Sequence, residues 1–274
     1  MPMRFVIDHD FHIHSFLSDC SRDPAQTSER ILDYARQNGL RTICLTNHFW
    51  DEKIPGASDW YRPQGAEHIR EALPLPQADG IRFLFGCETD MDRHMTLGIS
   101  PETAEQMDFI VIPTTHLHMM GFTLLPEDDT IERRAELYVQ RLSRLMDYDL
   151  PFEKVGIAHL TCHLLAPRKD DYLRVLSLIP DSTLRELFTR VSKRGAGVEL
   201  NFNSFAHEGE ALEQELRIYR IASACGCRFY LGSDAHHPAQ LAGAVRNFEH
   251  IVTLLGLTEE QKFRIGEKKE YVKG

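Results

Sequence analysis

Long apolar runs are missing from this sequence. Nothing approaches the ~18 consecutive apolar residues that a membrane-spanning helix requires, so no membrane partner is expected. The opening MPMRFVIDHD ends its apolar run after a few residues and lacks the features of a secretory signal, which leads to the expectation of a cytoplasmic protein. Basic charge is scarce as well: 31 Lys and Arg stand against 41 Asp and Glu, a net charge of −10. Such a balance disfavours a duplex nucleic-acid partner, which calls for a basic patch or stripe, and suits a protein that holds cations. Pro/Gly/Ser-rich linkers, internal repeats and low-complexity tracts are also absent. Residues 1–274 therefore read as one domain, a length that α/β barrels commonly span as a unit. The six cysteines (Cys20, Cys44, Cys87, Cys162, Cys225, Cys227) are scattered, and reduced thiols are expected rather than a disulfide framework. Cys225-Gly-Cys227 has CxC spacing, a poor match to structural metal sites. No heptad seam speaks to the oligomeric state.

What the chain does have is a rhythm. Short β-branched or aromatic runs alternate with polar loops and longer stretches of helical periodicity. Strands are expected at Phe5–His12, Arg41–Thr46, Ile81–Cys87, Asp108–Thr114, Val155–His159, Gly197–Phe202 and Arg228–Gly232. Helices are expected at Pro24–Asn38, Thr130–Met146, Ser182–Arg194, Gly209–Ala224 and Pro238–Leu254. Alternation of this kind implies βα units around a parallel sheet, an α/β fold. The longest irregular segment, Phe49 to Pro63, carries both tryptophans, and reads either as a lid or binding loop or as aromatic packing over the rim.

Histidines and carboxylates gather at the expected strand ends. His12 and His14 end the first strand, His48 follows the second and Glu88 the third. His116 and His118 follow the fourth, His159 ends the fifth, Glu199 and Asn201 lie in the sixth, and Asp234 and His236 follow the seventh. Parallel strands of a barrel open on one face, where such folds place their chemistry. Residues two apart in a strand share a side. Asp10, His12 and His14 should project together, with Asp10 free to orient a neighbour, while His9 faces away as a structural or exposed residue. Imidazole and carboxylate suit zinc, manganese or iron, and Glu88 can bridge two ions. The set His12, His14, His48, Glu88, His116, His159, Asp234 and His236 is too large for one tetrahedral ion and points to two or three divalent ions.

These residues resemble the polymerase and histidinol phosphatase (PHP) family. Asp10-Phe-His12-Ile-His14 matches its opening D-x-H-x-H, and Gly232-Ser233-Asp234-Ala235-His236 matches its closing G-S-D-A-H. Between them TNH (Thr46–His48), GCETD (Gly86–Asp90), VIPTTH (Val111–His116), IAH (Ile157–His159) and VELNFN (Val198–Asn203) look like its internal motifs, in order. The resemblance implies a distorted TIM-like (β/α)7 barrel with a trinuclear site. It puts one ion on His12, His14, Glu88 and Asp234, and a second on Glu88, His116 and His159. A third would take His48, His236 and a residue of the loop after His14: Asp19 by one version of the motif, the position of Cys20 by the histidinol phosphatase version. Asn47 stands where the family carries an acidic residue, which removes a charged partner from His48. His118 and His163 are alternatives to His116 and His159, which lie nearer the strand ends and are preferred.

Clustered cations would lower the pKa of a bridging water, and the resulting hydroxide could attack phosphorus in line with the ester oxygen. Asp234 is placed to orient it, and His236 or a metal-bound water to protonate the leaving alkoxide. For phosphate, the loops offer Arg22, Arg93, His94, Arg168, Lys169 and His237, with Arg93 and His237 the first choices. The function expected is a metal-dependent phosphomonoesterase on a small phosphorylated substrate, histidinol phosphate among the options. A nucleotide phosphodiesterase, an amide or ester hydrolase and a metal-binding regulatory module are the alternatives.

Overall fold

The computed structural model describes residues 2–166, 168, 170–201 and 207–266. Nine short strands are present among them: β1 (His9–Ile13), β2 (Thr42–Leu45), β3 (His48–Phe49), β4 (Arg82–Phe85), β5 (Cys87–Thr89), β6 (Ile110–Pro113), β7 (Val155–Ala158), β8 (Gly197–Asn201) and β9 (Arg228–Gly232). All pair in parallel, in the orders β1-β2-β4 and β3-β5-β6-β7-β8-β9. Around them lie α1 (Ser28–Asn38), α2 (Ala66–Ile69), α3 (Pro101–Gln106), α4 (Ile131–Leu145), α5 (Asp171–Leu178), α6 (Asp181–Arg194), α7 (Gly209–Ala224) and α8 (Pro238–Leu255). The fold is α/β, as the rhythm of the sequence implies. Strands β1, β6, β7 and β8 are buried at every residue, the condition of a parallel sheet covered on both sides.

Two expected strands end in a break and are followed by a further short strand each, beyond or at the limit of the expected run. β2 and β3 are interrupted at Thr46 and Asn47, and β4 and β5 at Gly86. At Gly86 the chain changes neighbours: its N–H donates to the Leu45 carbonyl (2.8 Å), and the next N–H, of Cys87, donates to Phe109 (3.1 Å). A Cβ there would lie 2.3 Å from the Phe109 oxygen, so only glycine allows the approach. β1 starts later than expected because Phe5 and Val6 bind the C-terminal segment instead, through the Leu257 carbonyl (3.3 Å) and the Glu259 carboxylate (2.9 Å). Phe202, the expected end of the sixth strand, lies outside the described residues. On the other side of β1, Asp234 N–H donates to His12 (2.7 Å) and His14 N–H to Ala235 (3.0 Å), so the end of β1 lies beside the segment that follows β9.

Helix starts follow side-chain capping. Thr27, Ser100 and Thr130 accept from N–H groups in the first turns of α1, α3 and α4, which is why α1 begins at Ser28 and not at Pro24. No helix among the described residues is long and apolar enough to cross a membrane.

Candidate metal centre

The parallel strands deliver His12, His14, His48, Glu88, His116, His159, Asp234 and His236 to one place. Their potential ligand atoms fall into overlapping sets, each within 4.8 Å: His12, His14, Glu88 and Asp234; Glu88, His116 and His159; and His14, Cys20, His48 and His236. Glu88 belongs to two sets and sits at the middle. It is paired in register with His48 across β3 and β5. His159 and Asp234, just past β7 and β9, adopt left-handed backbone conformations (φ 60° and 51°) that non-glycine residues rarely take. Such strain concentrates at functional sites.

The outer nitrogen of several rings is already used. His12 Nδ1 donates to Glu199 Oε1 (2.5 Å), His14 Nδ1 to Ser18 Oγ (2.9 Å), His116 Nδ1 to Asp90 Oδ2 (2.9 Å) and His236 Nδ1 to the Asp234 carbonyl (2.7 Å). Those bonds fix the tautomer, so each Nε2 presents a lone pair. For His12 and His14 these lone pairs converge on one another, 3.1 Å apart, and on Glu88 Oε2, at 3.4 and 3.2 Å. Neither Glu88 oxygen, nor His116 Nε2, nor His48 Nδ1 has a hydrogen-bond partner, although all are buried. Buried acceptors aimed at one another are costly unless a cation lies between them. The donor set, imidazole and carboxylate with one thiol, fits divalent zinc, manganese or iron.

The titration of these groups carries the same tension. Burial would raise Glu88, but the His48 and His12 charges hold it well below the ordinary carboxylate value. Burial would lower His159, yet Asp234 and Glu88 push it up to about 9. His236 is pushed down to about 4 by burial and by His14. Burial, together with Glu88 and Asp234, raises the Cys20 thiol.

Some candidates are placed elsewhere. Asp19 is exposed and outside every set; its backbone N–H is held by Gln64 Oε1 (3.2 Å), while Cys20 reaches the cluster. Cys20 is itself exposed; it differs from Asp19 in that its thiol comes within reach of the cluster. Arg93 is exposed and donates to the Gly121 carbonyl, and His237 caps α8 and pairs with Asp23 (2.7 Å). Neither lines the cavity over the cluster. His118 lines that cavity without joining a set, and His163 is exposed. Lys169 lies outside the described residues. Cys225 and Cys227 direct their thiols to the carbonyls of Arg185 and Phe188 rather than to each other; none of the six cysteines forms a disulfide among the described residues. Asp10 does not orient an imidazole. It accepts from Ser233 N–H (3.0 Å) and Tyr34 O–H (3.1 Å). Asn47 accepts from Ser18 O–H (3.1 Å), so it supports His14 through that hydroxyl.

Sequence reading missed Asp90 and Arg141 as supports of the site. Asp90 Oδ1 accepts from Arg141 Nη2 (2.9 Å), and Arg141, fully buried, also donates to the carbonyls of Thr114, Met91 and Asp92. A signal existed: Arg134 and Arg141, seven residues apart, both interrupt the buried face of α4.

The cavity measures about 590 Å³. Trp60 and Tyr61, from the long loop, line it together with Met119, Met120, Phe122 and Leu164. Trp60 stands edge-on to His48 at 4.8 Å, while Trp50 packs behind with Tyr61 and Phe122. The loop thus lends Trp60 and Tyr61 to the cavity wall and packs Trp50 behind it. Among the described residues the lining includes no Arg or Lys.

No protein-family model matches the chain, and no curated protein matches it significantly. Solved structures do. The fold is similar to that of histidinol phosphate phosphatase from Lactococcus lactis, solved with zinc, L-histidinol and phosphate. The TM-score is 0.61 at 15% identity, over 94% of this chain and 98% of that one. A probable 2-pyrone-4,6-dicarboxylic acid hydrolase from Acinetobacter baumannii aligns at TM-score 0.45 and 13% identity, over 90% of this chain and 93% of that one.

Proposed function

We propose that the chain is a metal-dependent phosphoesterase that hydrolyses a small phosphomonoester, with histidinol phosphate one option, on a centre of two or three zinc, manganese or iron ions. The observation that carries this reading is the inward-facing set of imidazole lone pairs around the unpartnered Glu88 carboxylate. The similarity of fold over nearly the whole chain supports a PHP-type barrel. So do the hydrogen bonds of His12 and His14 to the segment after β9, which suit a closed seven-stranded ring formed as one domain.

His12, His14, Glu88 and Asp234 would hold one ion, Glu88, His116 and His159 a second, and His48 and His236 part of a third. Bound ions acidify a nucleophilic water and neutralise the charge that develops on the ester oxygens. Glu199, Ser18 and Asp90 hold the Nδ1 atoms of His12, His14 and His116, so that the Nε2 atoms would face the metal. Asp234, with a carboxylate oxygen 3.2 Å from His14 Nε2 and another 3.7 Å from His159 Nε2, orients the attacking oxygen. His236 has a single free nitrogen, so it holds an ion or moves a proton but not both; its place in the third set favours the first role. The leaving alkoxide then takes its proton from solvent in the cavity.

A second reading draws on the lining. With no Arg or Lys among its described residues and six apolar or aromatic side chains above the cluster, the cavity also suits an amide or ester with an apolar group. A substrate screen on protein reconstituted with Mn²⁺ or Zn²⁺ separates the two. Phosphate release from small monoesters, histidinol phosphate included, that disappears in Asp234→Asn supports the first reading. Turnover confined to carbonyl substrates replaces it with the second, and turnover of phosphodiesters alone points to a nucleotide phosphodiesterase.

A further inference from the structure

We propose that Cys20 is a metal ligand, and that its thiolate, with His48 and His236, forms a sulfur-containing position that prefers zinc to manganese. The inference rests on the reading of the cluster as a metal centre and specifies the chemistry of its third position.

Four potential ligand atoms, from His14, Cys20, His48 and His236, lie within 4.8 Å of one another. His14 is committed elsewhere. Its Nδ1 binds Ser18, and its Nε2 stands 3.2 Å from both Glu88 Oε2 and Asp234 Oδ1, in the first set. That leaves Cys20, His48 and His236 as the position's own ligands. His236 offers only Nε2, because Nδ1 donates to the Asp234 carbonyl. His48 supplies a second observation: its side chain is 8% exposed, and its buried Nδ1 makes no hydrogen bond but stands 3.1 Å from Glu88 Oε2, an approach of two acceptors that a cation beside them would relieve.

The loop that carries Cys20 is fastened on both sides. Asp19 N–H is held by Gln64 Oε1 (3.2 Å), and Ser21 O–H donates to the His236 carbonyl (2.7 Å). Cys20 is thereby kept against His236 with its side chain at the cavity wall. Three protein ligands and an open fourth position are the arrangement of catalytic zinc sites. Thiolate is a soft donor that manganese and magnesium do not favour. On coordination the thiol proton passes to solvent and the sulfur lone pair forms the bond to the metal.

The test uses cobalt(II) and zinc on metal-stripped full-length protein, wild type and Cys20→Ser. Cobalt-loaded wild type should show a sulfur-to-cobalt charge-transfer band in the near ultraviolet, and Cys20→Ser should lack it. The variant should also bind roughly one zinc fewer per chain, or hold its weakest ion at least ~10-fold less tightly, with an unchanged circular dichroism spectrum. Metal-loaded wild type without the band, or a Cys20→Ser protein with the same band and zinc count, overturns the role of Cys20 and leaves the metal-centre reading standing. Wild type that binds neither metal overturns both.

Discussion

Asp90 and Arg141 illustrate how single residues set the chemistry of this site without lining its cavity. The Asp90 carboxylate accepts from His116 with one oxygen and from Arg141 with the other. Asp90→Asn keeps the shape and removes the charge. Zinc affinity measured by chelator competition should fall ~10–100-fold, with little change in folding. Gly232 is a second case. A Cβ there would lie 2.2 Å from Glu199 Oε1 and 2.8 Å from the His12 Cβ, so Gly232→Ala must displace the carboxylate that holds His12. The expected outcome is weaker zinc binding together with ~1–3 kcal/mol lost in urea unfolding; unchanged binding would show that the contact relaxes freely. Strand alternation made His12 and His14 legible together, because it dictates which side chains share a face. It says nothing of what lies opposite, and so the sequence did not show that Glu199, rather than Asp10, supports His12, or that Arg93 and His237 turn to Gly121 and Asp23.

At the scale of elements, the seam between β1 and β9 depends on His9, expected to face away from the site. It does so, and it is buried: Nε2 accepts from Leu231 N–H (3.0 Å) while Nδ1 donates to Asp8 (2.9 Å). Burial lowers its pKa from the ordinary imidazole value, against the pull of Asp8. The folded ring therefore stays neutral where the unfolded one gains a proton. Its contribution to stability is complete above about pH 6.5 and is lost as the pH falls below that value toward the folded pKa. In chelator-treated protein, the urea midpoint should drop between about pH 7.5 and 5.5 by more in wild type than in His9→Gln. An equal drop would remove His9 from the account. His9→Phe, which leaves the Leu231 N–H unpaired, should cost ~1–3 kcal/mol at neutral pH. The strands were readable because β-branched runs bounded by polar loops are strong local signals. The breaks at Thr46–Asn47 and Gly86 were not, because they depend on which neighbour the chain meets there. α2, α3 and α5, at 4, 6 and 8 residues, are too short for a periodic pattern.

Across the whole molecule, acidic groups and imidazoles from both ends of the chain are forced together at the strand ends, a crowding that protonated imidazoles such as His159 relieve in part and that bound cations would relieve further. Folding and metal binding should therefore be linked. Each bound ion at 100 times its Kd adds about 2.7 kcal/mol to the folded state, so chelation should lower the melting temperature and zinc should restore it in a concentration-dependent way. Order along the chain made this convergence legible, since parallel strands carry their C-terminal residues to one face whatever the loops between them do. The lining of the cavity was less so, because Met119, Met120 and Phe122 reach it from a loop without periodicity. The central claim is that Glu88 joins ions into a multinuclear centre, and the most direct measurement is the zinc count per chain, by elemental analysis, in wild type and in Glu88→Gln. Wild type should hold about two or three ions and the variant about one at most, because Glu88 belongs to two of the sets. A wild-type protein that binds no zinc, or a variant that keeps the full count, would contradict the account.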